Sequence, residues 1–304
     1  MHLGILGNGA IGSLLAAKCH VSGFQFTLLS RQPHINTMQY QFADGQKGSF
    51  TPEYLGPVFD TQFDILLVAT KAYDVEAALE QWKNTISEDT IIVLMNNGMG
   101  PHENIADMFP GNPVVAVLTS YGAYRPEFNI VEETGTGNSA GGWLVAPEKF
   151  KEKAILTQLE KLFDAVMAPF TWHEDVRLPL WQKLAINAVI NPLTALYKVP
   201  NGKLATPRYQ SLMTHLIDEL RLVMNAEGVH ITSSTLSNII NSVVAGTAQN
   251  ISSMHQDVLR GRKTEIDMIT GYLLKVGKRH NIALPHHQRI YEKIKALESE
   301  AEVS

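Results

Sequence analysis

Residues 3–15 read L-G-I-L-G-N-G-A-I-G-S-L-L, and the fold turns on them. Leu3–Leu6 is a short apolar strand. Gly7, Asn8, Gly9, Ala10, Ile11 and Gly12 form a G-x-G-x-x-G loop, and a helix is predicted from about Ile11 to Val21. Three glycines at this spacing allow a tight turn, a close approach of backbone to a pyrophosphate, and close helix–strand packing. The helix N-terminus adds free N–H groups and the positive end of its dipole. The rival reading is a glycine-rich turn that holds nothing. A strand directly before and a helix directly after favour the dinucleotide loop.

Outward from this unit the pattern repeats. Strands are predicted at Phe26–Leu29, Asp64–Ala69, Thr90–Met95 and Val114–Ser120, with a helix at about Val75–Trp82. Strands alternating with crossover helices imply a parallel, doubly wound sheet. Glu127–Ala146 reads as a hairpin, followed by a helix near Lys151–Phe163 and a strand near Phe170–Trp172. Beyond about Glu174 only helical patterns remain, with turns at Pro200-Asn201-Gly202, Gly228 and Pro285, and Glu298–Ser304 is expected to fray. The expected class is α/β: an N-terminal Rossmann-type doubly wound sheet over 1–174 and an all-helical C-terminal domain over 175–304.

Composition bounds the function. The 304 residues carry a net charge of −5, only 18% are charged, and no Lys/Arg run exists, so nucleic acid is excluded as a partner. No apolar run reaches the roughly 18 residues needed to span a bilayer, so no membrane is expected. A single cysteine, Cys19, cannot form an intrachain disulfide and is expected to pack inside the first helix. The eleven histidines show no metal spacing. With no basic, cleavable leader pattern at Met1, a cytoplasmic location is expected.

The second strand ends in Ser30-Arg31, with no acid where an NAD enzyme usually offers one to the ribose. Arg31 supplies a planar donor fork for a 2′-phosphate, and so favours NADP(H); the alternative is a solvated loop arginine. Lys71 follows the third sheet strand and is placed for cofactor phosphate or ribose. Asn97 follows the fourth and is placed to reach the nicotinamide side.

The most informative stretch is Leu178–Tyr197, an almost wholly apolar helix. Lys183, Asn187 and Asn191 stand at i, i+4 and i+8, which aligns them on one face with about 40° of drift per step. A lysine in such a helix must find partners or lose its charge. A polar stripe lining a ligand cavity explains all three; a snorkelling lysine and two backbone-capping amides is the alternative. Pro192 predicts a kink. Ser253 with Gln256 fits a helix-capping box, which competes with a ligand role for Ser253. In one straight helix Glu265 would point about 120° away from Ser253, so only a bend, for which Gly261 is the candidate, unites them.

These motifs in order resemble the ketopantoate reductase (2-dehydropantoate 2-reductase) family. They are the glycine loop, Lys71-Ala72, Asn97-Gly98, K-L-x-x-N-x-x-x-N-P at Lys183–Pro192, P-N-G-x-L at Pro200–Leu204, and S-S-M-x-Q-D…T-E-I-D from Ser252 to Asp267. The resemblance runs from Leu3 to about Pro285. It implies NADPH-dependent reduction of a small-molecule 2-keto acid, 2-dehydropantoate, with Lys183 as proton donor and substrate contact. It further implies substrate contacts from Asn97, Asn187, Asn191, Asn201, Asn250, Ile251, Ser252 and Ser253, and cofactor contacts from Lys71, Asn97, Ala123 and Glu265. A homodimer is compatible with it. Asn96 stands where glutamine is more usual, Pro101 follows Gly100, and Gly261 interrupts the last motif. These departures leave room for a related 2-keto acid, and an opine-type or β-hydroxyacid dehydrogenase or a non-catalytic NADP(H) sensor remain the other classes.

Overall fold

The computed structural model describes residues 1–31, 37–57 and 61–303. The chain divides into two compact units, 1–96 with 101–176, and 97–100 with 177–304.

The first unit is built on an eight-stranded sheet. Its strands are β1 (His2–Leu6), β2 (Gln25–Leu29), β5 (Glu53–Leu55), β6 (Ile65–Val68), β7 (Ile91–Leu94), β8 (Val114–Thr119), β11 (Ser139–Val145) and β12 (Phe170–Trp172). Their order is β12-β11-β8-β7-β6-β1-β2-β5. The six strands from β5 to β8 are parallel; β11 runs antiparallel to β8. The chain therefore leaves β1 toward β2 on one side and returns to β6 on the other, the reversal at which doubly wound sheets bind ligands. Alternate side chains feed opposite faces: Leu3, Ile5, Ile65 and Leu67 pack in one core, Leu6, Leu66 and Val68 in the other. Helices α1 (Ala10–Val21) and α4 (Lys153–Met167) cover the first face; α2 (Val75–Gln81) and α3 (Gly100–Met108) cover the second. Burial on both faces is why these strands read as continuous apolar runs. Cys19 is fully buried in α1, as expected, and burial pushes its thiol up to about 12.

The hairpin expected at Glu127–Ala146 is not formed. β10 (Ile130–Gly135) joins a separate four-stranded sheet, ordered β4-β3-β10-β9, with β9 (Gly122–Tyr124), β3 (Met38–Gln41) and β4 (Lys47–Phe50), while β11 joins the main sheet. Glu133 of β10 explains the choice. Its buried carboxylate pairs with Lys18 of α1 at 2.7 Å and accepts the Ala43 N–H at 2.9 Å, long-range partners that no local pattern announces. The strands over 38–55 and helix α3 were likewise not foreseen, being short or weakly periodic.

The second unit is helical, centred on α5 (Arg177–Tyr197). Around it pack α6 (Pro207–Ala226), α7 (Ser233–Gly246), α8 (Ser253–Leu259) and α10 (Pro285–Val303), with α9 (Tyr272–Arg279) between the last two in sequence. Helices on several sides account for α5's near-total apolarity. The helix runs on through Pro192. Glu298 does not fray: α10 extends to Val303, and Ser304 lies outside the described residues. No helix among the described residues is long and apolar enough to cross a membrane.

Candidate functional site

In the first unit, Gly7 sits at φ +110°, and a Cβ there would lie 2.9 Å from the backbone of Ala69 and Thr70. The loops leaving β1 and β6 thus abut, which places Lys71 beside the glycine loop. A Cβ on Gly12 would come within 1.8 Å of the Gly7 carbonyl oxygen, so helix α1 can start here only with glycine. Gly9 faces open space and is the N-cap of α1, with no side chain capping the helix. The first-turn N–H groups of α1 are thereby left to an external acceptor. Thr70 adds a buried hydroxyl with no hydrogen-bond partner. This cradle fits a pyrophosphate: close packing where the backbone must turn, open space where a phosphate would lie. Arg31 stands exposed just past the end of β2, and Ala123 is half-buried in β9.

In the second unit, Lys183, Asn187 and Asn191 occupy α5 as the spacing predicts. Asn187 and Asn191 are more than nine-tenths buried. Two largely buried amides thus stand on the lysine's face of an otherwise apolar helix, a polar stripe that suits a ligand. Burial pulls the Lys183 ammonium pKa below the ordinary lysine range, and the Glu265 carboxylate opposes that shift.

Glu265 is itself buried and accepts a 3.4 Å hydrogen bond from Asn97. The Asn97 loop is fixed by the Met99 N–H, which donates to the Met268 carbonyl at 3.3 Å. Gly98, at φ +82°, lies so close to that carbonyl that a Cβ would be 2.4 Å from it. Lys183, Glu265 and Asn97, widely separated in sequence, therefore share one neighbourhood.

Asn201 donates through Nδ2 to Thr247 Oγ at 2.9 Å, and its own Oδ1 is buried and unpartnered. The Thr247 hydroxyl already donates to the Val243 carbonyl at 2.7 Å. Its oxygen can only accept from Asn201, so the amide's free group is an acceptor. The Asn201 and Gly202 N–H groups bond the carbonyls of Asn250 and Ala248, which ties this turn to the segment preceding α8.

The cap of α8 is Ser252, not Ser253. The Ser252 hydroxyl accepts the His255 N–H at 3.1 Å and bonds Thr194 of α5 at 2.7 Å; Ser253 is the first helical residue and exposed. Asn250 and Ile251 are also exposed. The continuous helix from Ser253 to Glu265 does not exist: α8 stops at Leu259, Gly261 turns the chain at φ +60°, and Asp267–Gly271 forms a π-helical turn. Gly261 thus ends the helix rather than bending it. Thr70, Thr194 and Thr247 escaped the sequence reading, since each gains meaning only from a distant partner. Among the described residues no group of three or more His, Cys, Asp or Glu could hold a metal ion.

Comparison with known proteins adds the following. The family model described as ketopantoate reductase PanE/ApbA matches residues 3–142, and that described as ketopantoate reductase PanE/ApbA C terminal matches 175–298. The 2-dehydropantoate 2-reductase of Vibrio cholerae is 38% identical over 98% of both chains. A probable 2-dehydropantoate 2-reductase from Bacillus subtilis superposes with a TM-score of 0.82 at 27% identity, over 98% of this chain and 100% of that one. A D-mandelate dehydrogenase solved with NADH and anilino(oxo)acetate superposes at 0.91 over 99% and 100%, but at 22% identity that likeness is one of fold.

Proposed function

The chain belongs to the ketopantoate reductase family, and on that footing we propose that it reduces 2-dehydropantoate to pantoate with NADPH, in pantothenate biosynthesis. The observation that carries the chemistry is a half-buried lysine on the same face of an apolar helix as two largely buried amides. NADPH, when bound, supplies the hydride to the C2 carbonyl carbon. The glycine loop and the uncapped start of α1 hold its pyrophosphate, Lys71 reaches phosphate or ribose, and Arg31 reads the 2′-phosphate. On the substrate side, Asn187, Asn191 and Asn201 bind the keto acid's oxygens. The Asn201 Oδ1, limited to accepting, accepts a hydrogen bond from a substrate hydroxyl.

Lys183 acts in two ways. Its ammonium stabilises negative charge growing on the keto oxygen, then gives that oxygen its proton. The Glu265 carboxylate works against the effect of burial on the lysine and so favours the ammonium form. Asn97, bonded to Glu265, completes the polar wall. This reading takes the enzyme to be cytoplasmic, in keeping with a lone buried cysteine.

The test follows loss of NADPH absorbance over a panel of 2-keto acids. 2-Dehydropantoate is expected to be the best substrate, and a faster 2-keto acid would replace it as the substrate while leaving the chemistry. Lys183→Ala is expected to lower kcat by roughly 10²–10⁴-fold with NADPH binding intact. Turnover should fall as pH rises through the lysine's depressed pKa, because only the ammonium donates. Near-normal turnover in Lys183→Ala would sink the mechanism.

A further inference from the structure

In the T-E-I-D segment only Glu265 has a role so far, and the residues flanking it are held from another helix. Thr264 is fully buried, and both its N–H and its hydroxyl donate to Glu298 Oε1, each at 2.7 Å. With its proton committed, the Thr264 oxygen accepts the Ile266 N–H at 3.2 Å. Glu298 Oε2 lies 2.8 Å from Lys295 Nζ, which also reaches Asp267 Oδ2 at 3.1 Å. The other Asp267 oxygen accepts the Tyr291 hydroxyl at 2.8 Å. Tyr291, Lys295 and Glu298 fall at i, i+4 and i+7, one face of α10. Three side chains of one helix thus grip Thr264 and Asp267, the residues on either side of Glu265-Ile266. The Glu298 side chain is only 9% exposed, so the grip is largely shielded from solvent.

Resting on the reading of Lys183 as the acid, we propose that Glu298, with Lys295, is a positioning residue that holds the Glu265 carboxylate in place for Lys183 and Asn97. Thr264 and Asp267 are its handles. The Asp267–Gly271 π turn begins at the second handle and presents the Met268 carbonyl to the Asn97 loop, so the same grip sets that loop. A π turn leaves helix backbone irregular, and such a segment keeps its register only where outside contacts impose it.

The discriminating measurement is the pH midpoint for labelling of the Lys183 amine by an acylating reagent. It is read by peptide mass spectrometry in protein without NADPH, so it stands whether or not Lys183 proves catalytic. Glu298→Ala should release Glu265 and lower that midpoint by about one pH unit. The alkaline limb of kcat should move the same way. Thr264→Val, equal in shape but lacking the hydroxyl, should move it in the same direction by less, and decides the matter if Glu298→Ala fails to fold. In a Glu265→Gln background, adding Glu298→Ala should cause no further shift, because the two act through one carboxylate. Folded variants with the wild-type midpoint, or an equal shift in the Glu265→Gln background, would overturn the proposal. Near-normal turnover in Lys183→Ala would instead defeat the catalytic reading and leave the labelling result standing.

Discussion

At Lys183 two opposing effects meet, burial favouring the neutral amine and Glu265 favouring the ammonium. A proton donor needs that balance, since a lysine left at its ordinary value of about 10.4 releases its proton reluctantly. The amides beside it answer for binding rather than chemistry. Asn187→Ala and Asn191→Ala should each raise KM for the keto acid by about five-fold, corresponding to a hydrogen bond of roughly 1 kcal/mol, while leaving NADPH affinity unchanged. Steady-state kinetics with a separate cofactor titration checks this, and an unfolded variant would mean the amides serve the protein instead. Arg31, exposed past β2, has a different signature. Arg31→Ala should weaken NADPH by roughly 1.5–3 kcal/mol and NADH hardly at all, since only NADPH carries the 2′-phosphate. Equal losses in both titrations would remove Arg31 as the phosphate reader.

Among the elements, α5 and α8 show how a cap carries a site. The Thr194 hydroxyl donates back to the Ile190 and Asn191 carbonyls, at 2.8 and 3.0 Å, so the Ser252 proton must serve the bond between them. The Ser252 oxygen then caps α8. One hydroxyl therefore joins the turn of α5 that contains Asn191 to the start of the next helix. Ser252→Ala should cost about 1–2 kcal/mol, the range for a lost N-cap, read as a lower urea midpoint. Ser253→Ala, changing an exposed first-turn residue, should stay within about 0.5 kcal/mol. The reverse ranking would restore Ser253 as the cap.

Across the whole molecule, acid is where stability is most exposed to a single group. Burial alone would raise the Glu219 pKa, but the ring and backbone N–H groups of His287 and His286 overcome it and hold the carboxyl at about 2. Glu219 of α6 thereby closes the start of α10, the helix that bears Glu298. A carboxylate depressed from 4.5 to about 2 contributes roughly 3 kcal/mol at neutral pH. That contribution is complete above about pH 4.5 and is lost as pH falls toward 2. Glu219→Gln should therefore lower the urea midpoint strongly at pH 7, and the gap to wild type should narrow as the medium is acidified below about 4.5. A gap that does not change with pH would show that the charge is immaterial.

Local pattern was enough for much of this protein. A strand, three glycines and a helix in succession specify the dinucleotide cradle, because the backbone constraints at Gly7 and Gly12 are local and steric. Short continuous apolar runs, buried on both faces, specify the parallel sheet, and a 3.6-residue period aligns Lys183, Asn187 and Asn191 on one helix face. Where a residue's meaning lies in a partner far along the chain, pattern is silent. The Glu133–Lys18 pair draws β10 into its own sheet instead of a hairpin. Thr194 shifts the cap of α8 from Ser253 to Ser252. Glu298, in a segment that composition alone marks as a frayed end, fixes Thr264. Periodicity turns Glu265 away from Ser253 and is silent about Lys183; the break at Gly261, the π turn and the grip of α10 bring its carboxylate to the lysine. Sequence spacing determines which residues share a face of one element; which charges stand together across elements is decided by tertiary packing, since that alone sets the distances on which Coulomb and hydrogen-bond energies depend.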